Sequence, residues 1–142
     1  MRLKIQLPAA WTQQNNSKGP VTFCRRGSGN AFQVSWAAYR GRESLDVTAE
    51  TLVEMATNLG QEQRFGDRLE TASGDSRFGT FGTAVFRGAG HPRIQIWFIS
   101  NGRDHILATH ICDRDPRASE IAEVKQIANS LALGPEEPFK PR

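Results

Sequence analysis

Two imidazoles and a thiol fall within eight positions of "HILATHICDRDP", residues 105 to 116, and the carboxylates Asp113 and Asp115 follow directly. Imidazole nitrogen and thiolate sulfur are zinc ligands, and a cysteine beside a histidine can be activated as a nucleophile. Whether these groups meet depends on strand register. The Asn101-Gly102 dipeptide predicts a two-residue type I′ hairpin turn that pairs Ser100 with Arg103. Carried back along both strands, that register sets Arg93 opposite His110 and His91 opposite Cys112. His91, Arg93, His110 and Cys112 would then share one face at one end of a sheet, with His105 on the other face opposite Phe98.

His91, His110 and Cys112 are therefore the candidate metal or thiol site. Against it, Arg93 puts a fixed positive charge among the ligands, a one-residue slip would scatter the set, and no CxxC, HExxH or paired-histidine helix supports it. The competing and favoured reading is a core or edge cluster with Cys112 as a small buried hydrophobe. The same register gathers Arg87, Arg93, Arg114 and Arg117 into a basic corner suited to an anion, an acidic partner helix or RNA. Its competing reading is a solvated sheet end.

The elements that must position these residues follow from periodicity. "LKIQL" (3–7), "VTFCRR" (21–26) and "AFQVSWAAYR" (31–40) read as strands, the last two joined through "GSGN" as a hairpin, with "TQQNNSKGP" (12–20) as a loop. Helical spacing of Leu52, Met55 or Ala56, and Leu59 predicts a helix over 48–60, with Thr48 as N-cap and Gly60 as its stop. Strands over 67–73, 77–87, 93–100 and 103–113 then form a meander. A second helix is expected from Asp115 as N-cap and Pro116 at its first position, through Ile121, Val124, Ile127, Ala128 and Leu131, to a Gly134-Pro135 stop. Strands in blocks with two helices imply an α+β fold: an antiparallel six- to seven-stranded sheet flanked by two main helices, in a single domain over 1–134. The proline-rich tail 135–142 is expected to be mobile.

At 142 residues, 38% hydrophobic and 23% charged, the chain has the size and composition of one self-sufficient domain. The net charge of +3 is too small for a dedicated nucleic-acid binder, although 14 of the 18 cations are arginine, the side chain suited to bidentate pairing with carboxylate or phosphate. No apolar run reaches the roughly 18 residues of a membrane span, and "MRLKIQL" alternates where a signal peptide would be apolar, so a cytoplasmic location is expected. "GTFGTAVFRGAG" lacks the GK[ST] of a P-loop, no GxSxG elbow occurs, and no carboxylate pair stands out.

The order of "IQLPAAW", a hairpin, "TAETLVEMATNL", the glycine-bearing strand "FGTFGTAVF", "IQIWFISNGRDHILATHICD" and the closing helix "EIAEVKQIANSLAL" resembles the PsbP/DcrB-like superfamily over nearly the whole chain. That resemblance implies a PsbP-like α/β/α sandwich. It also implies a non-catalytic role in holding another protein, as an adaptor, a secretion-associated chaperone or an immunity-type partner, with no cofactor and no shared catalytic set. The alternative is a metal- or thiol-dependent enzyme built on His91, His110 and Cys112.

Overall fold

In a computed structural model of the chain, the described residues are 2–14, 20–38 and 47–134. They form β1 (Arg2–Lys4), β2 (Trp11–Gln14), β3 (Val21–Arg25), β4 (Ala31–Ala38), α1 (Ala49–Glu62), β5 (Asp67–Asp75), β6 (Thr80–Arg87), β7 (Arg93–Ser100), β8 (Asp104–Cys112), α2 (Ala118–Ser130) and β9 (Ala132–Gly134). Seven strands make one antiparallel sheet in the order β2-β3-β4-β8-β7-β6-β5, while β1 and β9 pair as a separate two-stranded sheet. The expected α+β class, meander and two helices are all present. The small second sheet was not anticipated, and Thr12–Gln14, expected in a loop, continue β2 against β3.

Each face of the large sheet carries its own core. Phe32, Val34, Trp97, Ile99, Ile106 and Ala108 pack beneath Val124, Ile127, Ala128 and Leu131 of α2 and its end, with Leu3, Ile5 and Leu7 closing the flank. On the opposite face Ala84, Phe86, Ile94 and Ile96 meet Ala56 and Leu59 of α1. Strands buried on both faces lose the simple alternation of apolar and polar residues, which is why "IQIWFI" carries bulky groups on both sides.

Local chemistry accounts for the helix ends. Thr48 caps α1 as expected, its hydroxyl oxygen accepting the Thr51 N–H at 3.2 Å. Gly60 does not stop this helix. It lies inside α1, which runs on to Glu62, and a Cβ there would overlap the Phe86 ring. The start of α2 also differs from expectation: Asp115 is not the cap, because its carboxylate turns to Arg87 at 3.5 Å, and the helix begins after Arg117 with no side-chain cap. Its end comes early, at Ser130, since Leu131 turns extended and leads into β9. Ser130 accepts the Gln6 N–H at 2.9 Å, and Arg77 donates to the carbonyls of Asn129 and Ser130 from backbone and side chain respectively, occupying acceptors the helix leaves free. The proline-rich tail 135–142 and the last two residues of the expected strand 31–40 lie outside the described residues.

Gly82 shows how tightly α1 is laid on the sheet. A Cβ at this position of β6 would overlap the backbone of Leu52 and Val53, which cannot yield as a flexible side chain can. Gly82→Ala is expected to destabilise the fold by about 1–3 kcal/mol, read as a lowered midpoint in urea unfolding. An unchanged midpoint would contradict the close approach.

Candidate functional site: a buried polar network beneath an arginine-lined cavity

The register of β7 and β8 differs from expectation by two residues. Ser100 pairs with His105, because Asn101 closes a four-residue turn: its side-chain oxygen accepts the N–H groups of Arg103 and Asp104 at 2.9 and 2.8 Å. A shift of two leaves every side chain on its expected face but changes its neighbour. Arg93 stands opposite Cys112 and not His110, and Gln95 faces His110. His91 lies ahead of β7, with Nδ1 3.1 Å from an Asp113 oxygen, and does not join the cluster. His105 is on the other face from His110, opposite Ser100 and not Phe98.

His110 and Cys112 do come together, and the third member is Glu120, reaching in from the first turn of α2. His110 Nε2 lies 2.7 Å from Glu120 Oε2, and both side chains are almost completely buried. Asn30, at the end of the β3–β4 turn, donates its amide to the same Oε2 at 3.1 Å. Its own oxygen accepts the N–H groups of Asp113 and Arg114 at 2.9 and 3.2 Å. One small group of side chains thus joins β8, the β3–β4 turn and α2.

Burial alone would raise the Glu120 carboxyl, but hydrogen bonds from Asn30, Ser28 and His110 outweigh it and hold the group below its ordinary range. Burial is also the largest influence on His110 and pushes it down, beyond what Glu120 restores, with the Arg93 charge acting in the same downward sense. The consistent state is a carboxylate accepting a proton-bearing Nε2 from a neutral imidazole. The Cys112 thiol is pushed up to about 12, by burial first and then by the Glu120 charge. Its sulfur lies 3.6 and 3.5 Å from the two ring nitrogens of His110, and so cannot lie along the lone pair of either.

The ligand atoms of His110, Cys112 and Glu120 fall within 4.8 Å of one another, and sulfur, imidazole and carboxylate are a zinc-type donor set. Their geometry is nevertheless that of a closed hydrogen-bond network. The carboxylate oxygen nearest the histidine already accepts from both Asn30 and His110, and Arg93 adds positive charge beside both His110 and Cys112.

Above this network the chain opens into a cavity of about 390 Å³, lined by Arg25, Arg26, Arg114 and Arg117, the Gly27-Ser28-Gly29-Asn30 turn, Asp115, Pro116 and Glu120. Arg114 and Arg117 of the expected basic corner reach it; Arg87 and Arg93 do not line it. Arg87 is engaged by Asp115 and by the Pro92 carbonyl, and Arg93 donates to Gln95. Their place is taken by Arg25 and Arg26. Arg25 pairs with Glu123 at 2.9 Å, and that carboxylate also accepts the Trp11 indole N–H at 2.9 Å. The signal for this grouping lay in the pairing of β4 with β8: Ala31 opposite Ile111 puts the turn before β4 beside the segment after β8. A second cavity, of about 200 Å³, lies between Phe81, Val85 and Trp97 on the sheet and Lys125 and Asn129 on α2.

No family model matches the chain, and no curated protein matches it in sequence. Solved structures do match in fold. Cyanobacterial PsbP (CyanoP) from Synechocystis sp. PCC 6803 superposes with a TM-score of 0.62 at 11% identity, over 93% of this chain and 86% of that one. A protein from Bacteroides thetaiotaomicron VPI-5482 matches with a TM-score of 0.50 at 9% identity, over 94% of this chain and 46% of its own length. The fold is PsbP-like. At these identities the likeness concerns the fold alone.

Two measurements test the network. The depressed His110 and Glu120 both act in one direction: the unfolded chain takes up protons that the folded chain refuses, so stability falls as pH drops. The His110 contribution begins to be lost below about 6.5 and that of Glu120 below about 4.5. In urea unfolding at a series of pH values, His110→Gln is expected to remove the upper of these two losses and keep the lower one. In the Cys24→Ser variant, Cys112 is expected to react with an aromatic disulfide reagent at pH 8 no faster than the protein unfolds. Rapid stoichiometric reaction would show an accessible, activated thiol.

Proposed function

We propose that this chain is a non-catalytic protein-binding module, and that it holds its partner through the arginine-lined end of the sheet. The observation that carries this reading is the cavity, where Arg26, Arg114 and Arg117 form no ion pair with any described residue. Guanidinium groups gathered around one opening repel each other, and an acidic partner surface relieves that repulsion while supplying matched acceptors. The groups that would serve an enzyme are committed elsewhere. Cys112 keeps its proton, and His110 is held by Glu120 inside the fold, out of reach of a substrate in the cavity. The PsbP-like fold is compatible with this reading, although fold alone does not decide function.

A photo-crosslinking amino acid placed at Ser119, beside the cavity, and at Ala72, on the outer strand β5, tests this in cells of the source organism. The expected result is a discrete protein adduct from Ser119 that disappears when Arg114→Glu and Arg117→Glu are combined, and no such adduct from Ala72. Adducts from Ser119 that persist after the charge reversal, or no adduct at all, would overturn the proposal.

A further inference from the structure

Resting on that reading of the cavity, we infer that the partner group it receives is a phosphate monoester, carried on a phosphorylated serine or threonine of the partner protein. The argument is one of charge and donor number. Of the cavity's charged residues, Arg25 is paired with Glu123 at 2.9 Å and Asp115 with Arg87 at 3.5 Å, each partner lying outside the lining. Arg26, Arg114 and Arg117 remain against Glu120, leaving two positive charges in excess. A phosphate monoester near pH 7 carries close to two negative charges; a carboxylate or a nucleic-acid diester carries one.

Donor number points the same way. A single arginine fork satisfies both oxygens of a carboxylate, whereas three guanidinium groups on two sides of an opening need an acceptor with three outward oxygens. Arg26 comes from the β3–β4 turn, and Arg114 and Arg117 from the segment between β8 and α2, so the three arginines border the opening from separate pieces of chain. The start of α2 borders the same opening without a side-chain cap, which adds backbone N–H donors and the positive end of the helix dipole to a site already made by the arginines. Of the two carboxylates that line the site, Glu120 is buried and occupied by Asn30, Ser28 and His110, and Asp115 is turned to Arg87. A cavity of about 390 Å³ exceeds one phosphate group, leaving room for the side chain and backbone that present it.

Isothermal titration of the full chain tests the inference with five probes: a peptide bearing one phosphoserine, the same peptide with serine, the same with glutamate, inorganic phosphate, and a single-stranded RNA oligonucleotide. The phosphoserine peptide is expected to bind, the serine peptide not to bind, and the glutamate peptide and free phosphate to bind at least roughly tenfold more weakly. Arg26→Ala, Arg114→Ala and Arg117→Ala should each weaken phosphopeptide binding by roughly tenfold. Arg103→Ala, in the β7–β8 turn at the other end of the sheet, should leave it unchanged. Thermal melts of these exposed-site variants confirm that they fold. Equal binding of the glutamate peptide would overturn the phosphate inference and leave the acidic-partner reading standing. Free phosphate binding as tightly as the peptide would overturn the phosphoprotein source, and preferential RNA binding or no binding by any probe would overturn the inference outright. In each case the crosslinking result decides the broader reading separately.

Discussion

The carboxylate of Glu120 is the constraint around which this molecule is arranged. A buried charge is costly unless its solvation is replaced, and here the replacement comes mainly from neutral donors: the Asn30 amide, the Ser28 hydroxyl and the His110 ring. Asn30 and Ser28 sit on the β3–β4 turn and His110 on β8, so satisfying one carboxylate fixes that turn, the end of β8 and the first turn of α2 relative to one another. Asn30 extends the arrangement by accepting from the backbone of Asp113 and Arg114, which turns the chain out of the sheet and toward the helix. The cavity wall is a product of these hydrogen bonds as much as of the apolar core beneath.

The same economy of groups sets the state of the two side chains that carry most chemical suggestion in the sequence, His110 and Cys112. Burial keeps the His110 imidazole neutral and the Cys112 thiol protonated. A nucleophile needs the opposite: exposure to substrate and a neighbour that stabilises its anion. Here the nearest carboxylate makes thiolate formation harder, and the nearest arginine, which would ease it, is outweighed by burial. What borders the cavity above the network is predominantly cationic.

Much of this was legible in the sequence, and the failures have physical causes. Period alone placed both helices and most strands, and Thr48 capped α1 as its side chain suggests. Asn101-Gly102 signalled the right hairpin and the wrong length, because Asn101 can close a turn with its own side-chain oxygen as readily as it can occupy a left-handed position. The error was two residues, so His110 and Cys112 kept their shared face while His91 lost its place. Asp115-Pro116 has the composition of a helix start, yet local propensity yielded to Arg87, which takes the aspartate, and to Asn30, which takes the backbone before it. Glu120 could not be found by pattern, since an acidic residue in the first turn of a helix ordinarily faces water and complements the dipole.

Arg25 and Arg26 were hidden for a different reason. Residues about 90 positions apart on the chain become neighbours only through the crossing of β4 to β8, a pairing between strands that are not consecutive in sequence. Hairpin reasoning reaches adjacent strands and stops there. The β4–β8 junction is where the first hairpin joins the later meander, and it brings together the two chain segments that carry Arg26, Arg114 and Arg117. A surface assembled across such a junction is free to differ between chains that share the sheet order, because turns and helix starts supply its side chains and the core does not. That freedom lets one fold of this kind present different charges at the same end of its sheet, and it makes the arginines, more than the architecture, the part of this molecule from which a partner can be argued.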